Sequence, residues 1–148
     1  MALINRQNPK DFVRGWDMGI ANYLGQNTDI HHVFTQAYCL KENLPWRKWN
    51  SVVNKTPIFA SSNRSIGGKA PSCYIQTIRN KGGMTESDID RFLESHGINP
   101  SLLKSDSFDV FVVDRAKRLL NLIEVAMGKA VAGRDSDATI QYFGEALS

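Results

Sequence analysis

Two of the three histidines in the chain are neighbours, His31 and His32. Asn54 follows His32 by 22 residues and Asn63 follows Asn54 by nine. This set suits hydrolysis of a phosphodiester. A water must lose a proton near neutral pH, and histidine is the side chain best matched to that task. A divalent ion must polarise the phosphate and stabilise the leaving oxygen, which needs one or two fixed nitrogen or oxygen ligands and otherwise open positions. Adjacent residues on a strand point to opposite faces, so one histidine can hold metal while its neighbour faces the water. Asn63 is suited to complete a sparse metal site, and Asn54 either to orient the base or to pin a loop through its amide.

Charge distribution agrees with a phosphate partner. The net charge is +3, but residues 1–83 carry eleven Lys/Arg against four Asp/Glu, whereas residues 84–148 carry seven against eleven. Between Lys41 and Lys81 eight cations face one acid, Glu42. Such a block is the footprint of a protein that grips nucleic-acid backbone. Arg47, Lys48, Lys55, Arg64 and Lys69 are the candidate phosphate contacts. No apolar run approaches the roughly 20 residues of a membrane helix. The N-terminus lacks the apolar core of a secretory signal, so a cytoplasmic location is expected. Cys39 and Cys73 form no Cys-x-x-Cys pair and are expected to be reduced.

These residues need elements to position them. Asn8-Pro9 opens an expected helix carrying Phe12, Trp16, Ile20, Tyr23 and Leu24. Residues 28–35 read as a short strand that holds both histidines and carries Ile30, Val33 and Phe34, and residues 36–50 as a loop with a helical turn. Residues 51–60 suggest a second strand, with Pro57 at an edge or bend. Ser61-Ser62 reads as the cap of a short helix from near Asn63, and Pro71 or Ser72 starts another through Arg79. Beyond Gly82-Gly83 come helices: one capped by Thr85, a turn after Asn99-Pro100, and a long one over 108–132. The tail 133–148 is expected to order only at Tyr142-Phe143. The expectation is a single α+β domain of 148 residues: a ββα core over about 26–80 wrapped by an N-terminal helix and a helical subdomain over about 84–132.

The segments Asp29-Ile-His-His-Val-Phe, Asn50-Ser-Val-Val-Asn-Lys-Thr-Pro-Ile and Ser62-Asn-Arg-Ser-Ile-Gly-Gly-Lys-Ala-Pro-Ser-Cys-Tyr-Ile resemble the HNH (His-Me finger) nuclease region of Gmr-type (GmrSD-like) type IV restriction endonucleases. The resemblance extends through Asp106-Ser-Phe-Asp-Val-Phe and Leu122-Ile-Glu-Val-Ala-Met-Gly-Lys. It implies a ββα-metal core and a metal-dependent endonuclease that cleaves DNA in defence against foreign DNA. It assigns His31 as metal ligand, His32 as general base, Asn54 as the middle asparagine and Asn63 as the last ligand, where many members have histidine. One divalent ion, Mg²⁺, Mn²⁺ or similar, is the implied cofactor. In that family the nuclease lies C-terminal to a ParB-like nucleotide-hydrolysing domain, which becomes an expected partner beside DNA. The rival expectation is a catalytically inactive module that binds DNA or docks onto such a domain.

Smaller signals admit simpler readings. Trp46 and Trp49 can stack on bases or bury the loop that holds them. Gly67-Gly68-Lys69 lacks the rest of a phosphate-loop pattern. His96, before Gly97, reads as a cation at a helix C-terminus. Asp106, Asp109 and Asp114 read as a solvated acidic face rather than a metal cluster.

Overall fold

A two-stranded ribbon and a set of helices enclose one apolar core in the computed structural model, which describes residues 2–19 and 27–148. In chain order the elements are α1 (Ala2–Asn5), β1 (Thr28–His32), α2 (Gln36–Lys41), α3 (Trp46–Trp49), a 3₁₀ turn (Val52–Asn54), β2 (Lys55–Phe59), α4 (Ala60–Ile66), α5 (Pro71–Gly82), α6 (Glu86–Ser95), α7 (Pro100–Lys104), α8 (Phe108–Met127) and α9 (Asp137–Phe143). The architecture is mixed α+β. Among the described residues no helix is long and apolar enough to cross a membrane.

β1 and β2 pair antiparallel, with Thr28 opposite Phe59, Ile30 opposite Pro57, His31 opposite Thr56 and His32 opposite Lys55. Side chains alternate across the ribbon. Asp29, His31, Thr56 and Ile58 therefore share one face, and His31, Thr56 and Ile58 are buried there. The other face carries Ile30, His32, Lys55 and Pro57, and Ile30 is about half exposed. Pro57 is tolerated because a two-stranded ribbon is all edge. The core packs Phe12, Val33, Phe34, Ile58, Tyr74, Leu93 and Phe111 together.

The expected helix after Asn8-Pro9 is absent over its described part: residues 9–19 form turns and an isolated bridge between Lys10 and Asp17. The reason lies in Asp11, whose Oδ1 accepts from the backbone N–H groups of Val13 and Arg14. That local bonding competes with helix formation, and Gly15 turns with a positive φ of 71°. The same carboxylate is fully buried; it accepts from the N–H of Phe59 at 3.0 Å and the hydroxyl of Ser62 at 2.9 Å. It thus fixes the start of α4, whose cap residue, Phe59, offers no side-chain acceptor. Ser61-Ser62 is inside the helix rather than its cap. The rest of the expected helix, from Ile20 to Leu24, lies outside the described residues.

The helical half follows its local signals closely. Thr85 and Asp88 close a reciprocal capping box on α6. Asn99 caps α7. α8 stops at Met127, shorter than the expected 108–132, because Gly128 takes a left-handed cap. The tail is more ordered than its composition suggests. Arg134 pairs with Glu124 at 2.9 Å and bonds the carbonyl of Leu147, whose side chain is buried.

Candidate active site

β2 runs directly into α4, and this turn brings Asn63 over the buried face of β1. His31 Nδ1–H donates to Asn63 Oδ1 at 2.9 Å. The other end of the amide donates through Nδ2 to Asp29 Oδ2 at 3.2 Å. His31 is 2% exposed and lies between the rings of Phe12 and Tyr74, with centroids at 5.8 and 5.9 Å. Burial pushes its pKa down from 6.5 to about 4, against the raising effect of the Asn63 bond. The imidazole is therefore neutral at neutral pH, as a metal ligand must be. Its Nε2 is buried without a hydrogen-bond partner.

His32 leaves the opposite face of the strand. It packs edge-on against Trp49 at 5.7 Å, and its Nε2 lies 3.3 Å from Asn50 Oδ1. Because an amide oxygen only accepts, the proton sits on Nε2 and the lone pair on Nδ1. No role was expected of Asn50, which stands four residues before Asn54. Both histidines, with Thr35, Gln36, Asn63 and Gly68, line a cleft of about 200 Å³.

Of the two roles open to Asn54, the structure displays the pin. Fully buried, it accepts from Phe34 N–H at 2.8 Å and donates to the carbonyls of Phe34 and Trp49, both at 2.9 Å. Its amide ties the segment leaving β1 to α3 and so fixes the excursion that separates the strands. No bond from Asn54 reaches His32.

Gly67 ends α4 with a positive φ of 61°, and Gly68 serves packing. A Cβ on Gly68 would stand 2.7 Å from the Cβ of Ala37, so only glycine permits this approach to α2. The hydroxyl of Thr35 then donates to the carbonyl of Lys69 at 3.0 Å.

The cationic candidates divide. Lys55 is the register partner of His32 and leaves the ribbon on the same face. Arg64 and Lys69 are exposed on and after α4. Arg47 is exposed on α3, where its carbonyl accepts from Tyr142. Lys48, by contrast, pairs with Asp109 at 3.2 Å. The two tryptophans also divide: Trp49 is buried, while Trp46 is 63% exposed.

The expected role of His96 as a helix-terminal cation is overturned. It is fully buried; its Nε2–H donates to the carbonyl of Lys10, and its Nδ1 accepts from Thr56, each at 2.8 Å. Desolvation lowers its pKa to about 3, so it is neutral. No local signal marked this role, because its partners Thr56 and Lys10 lie 40 and 86 residues away. Arg115 is buried nearby along β2; its Nη2 donates to the carbonyl of Lys55 at 3.1 Å, and its Nε and Nη1 have no partner. The acidic trio does not converge: Asp106 holds Ser72, Asp109 holds Lys48 and Asp114 holds Arg118.

A divalent ion fits the donor set only sparsely. No group of three or more His, Cys, Asp or Glu converges among the described residues. His31 Nδ1 and Asn63 Oδ1 stand 2.9 Å apart, close to the roughly 3.0 Å between two donors each about 2.1 Å from one ion at a right angle. They would hold an ion once Nδ1 gives up the proton it shares with Asn63 and the ring proton lies on Nε2. One nitrogen and one oxygen donor at the edge of an open cleft suit an ion that keeps several positions for water and phosphate.

Comparison with known proteins adds little to these observations. No family model matches the chain, and no solved structure matches it. Over 109 residues it is 28% identical to an uncharacterized protein of Methanocaldococcus jannaschii, an alignment that covers 69% of this chain and 18% of that protein. The chain thus spans less than a fifth of its relative's length.

Proposed function

We propose that the chain is a divalent-metal-dependent DNA endonuclease domain with a ββα-metal core of the His-Me finger type. The observation that carries this reading is the convergence of His31 and Asn63 to 2.9 Å at a cleft that His32 also lines. The order of hairpin and helix supports it, as does the pinning amide of Asn54.

In this reading His31 and Asn63 hold the ion, which when bound supplies Lewis-acid polarisation of the phosphate and stabilises the leaving oxygen. His32 Nδ1 takes a proton from the attacking water as its oxygen bonds to phosphorus. The phosphorus–oxygen bond to the leaving strand breaks, the departing oxygen gains a proton from solvent, and His32 returns its own to solvent. Asn50 holds the ring in the tautomer that exposes the Nδ1 lone pair. Lys55, Arg64 and Lys69 steady the phosphate, with Arg47 further out along the strand. A role in restricting foreign DNA, with a ParB-like nucleotidase domain or subunit as partner, rests on the resemblance to the Gmr-type enzymes.

The test is cleavage of supercoiled plasmid with Mg²⁺, Mn²⁺ or Ni²⁺, comparing the chain with His32→Ala. Nicking or cutting that vanishes in the variant supports the reading. Cleavage equal in both refutes the role of His32, and salt-sensitive DNA binding without turnover favours the inactive binding module.

A further inference from the structure

We propose that Asp29 is a positioning residue that turns Asn63 into a usable metal ligand, an inference that rests on the metal reading of the site. Asparagine is a weak ligand, and its amide can face a neighbour with either end. Paired with a histidine alone the two orientations are nearly equivalent: Asn63 Oδ1 accepts from one imidazole tautomer, and Nδ2 donates to the other. Asp29 removes that equivalence. It sits two residues before His31 on the same face of β1, and its Oδ2 is 3.2 Å from Asn63 Nδ2. A carboxylate only accepts, so the NH₂ end must turn to Asp29 and Oδ1 must turn to His31.

The carboxylate also strengthens the ligand it orients. A charge-assisted bond to the NH₂ group draws the amide toward its polarised form and leaves Oδ1 richer in electrons. Carboxylates behind ligating groups act in this way, and their loss typically costs 10–100-fold in metal affinity. Asp29 makes no ion pair among the described residues, although it precedes the most basic part of the chain. Its side chain accepts from Asn63, and its register partner across the ribbon is the apolar Ile58.

The experiment is calorimetric titration of the full chain with Mn²⁺ alone. Three proteins are compared: wild type, D29N, and the exchange variant D29N/N63D. The single variant is isosteric, and its fold is checked by thermal unfolding. D29N is expected to bind Mn²⁺ at least about tenfold more weakly. The exchange variant keeps one amide and one carboxylate in contact but gives position 63 the charge. It is expected to bind within about threefold of wild type or more tightly, a rescue that loss of mere structure would not allow. In the metal-free chain, ¹⁵N spectra of His31 are expected to show protonated Nδ1 in wild type and a tautomer mixture in D29N. D29N binding as tightly as wild type, or an exchange variant as weak as D29N, overturns this inference and leaves the metal site standing. A wild-type chain that binds no Mn²⁺ overturns the metal reading, and the role of Asp29 with it.

Discussion

Lowering the pH from 7 to 5 is expected to destabilise the fold through His31 and His96, both buried and held neutral. The ordinary pKa of 6.5 falls to about 4 for His31 and about 3 for His96, with burial the main cause in each. The unfolded chain therefore binds protons from about pH 6.5 downward while the native state does not. Stability is full above that pH and is lost as pH falls toward the native values. Each histidine contributes a slope approaching 1.4 kcal/mol per pH unit, so together they remove on the order of 3–4 kcal/mol between pH 7 and 5. Urea unfolding in EDTA reads this directly, because Trp49 is buried and reports the transition. Carboxylates titrate in the same range, so the decisive quantity is a difference. His96→Gln, which can still accept from Thr56 and donate to Lys10, is expected to reduce the pH slope by about 1.4 kcal/mol per unit below pH 6. Equal slopes in the two proteins would show that His96 is not held neutral and would refute the burial argument.

Asn54→Ala is expected to cost about 3 kcal/mol, since it strands the N–H of Phe34 and two buried carbonyls, and urea midpoints measure it. Asn50→Ala is expected to slow plasmid cleavage by about tenfold or more by freeing the His32 tautomer. Asn50→Asp, which favours the imidazolium, is expected to move the acidic limb of the pH–rate profile upward; a limb that stays put removes Asn50 from the site. Gly68→Ala is expected to destabilise by about 1–3 kcal/mol through the clash with Ala37, read as a lowered Tm.

The readable parts of this chain were those with local causes. Capping residues marked the starts of α6 and α7, because a cap acts within one turn, whereas the left-handed stop at Gly128 was overrun by the apolar pattern of α8. The placement of the candidate residues was legible where it depended on strand alternation: His31 and His32 do leave opposite faces, and Asn63 does reach His31. Long-range partners were hidden. Asp11 looked like an unremarkable helix residue, yet its carboxylate serves Phe59 and Ser62, 48 and 51 residues away. His96 looked like an exposed terminal cation, because nothing near it in sequence announces Thr56 or Lys10. Asn50, Asp29 and Arg115 were missed for the same reason: each matters through one bond to a group that only the folded chain brings close.

The bond from His96 to Lys10 spans 86 residues, and the one to Thr56 spans 40. Contacts of that sequence separation carry a larger closure entropy than local ones, and the ribbon behind His31 is complete only once the helical half has packed against it. On the ribosome, every residue of the histidine–asparagine set emerges before His96 does. A nascent chain stopped between Asn63 and His96 displays the full motif while Thr56 still lacks its partner. The helical half, which carries none of that set, therefore decides when the strand pair becomes rigid. It also sets a boundary for dissection: a fragment cut between α5 and α6 retains the motif but loses the bolt behind it.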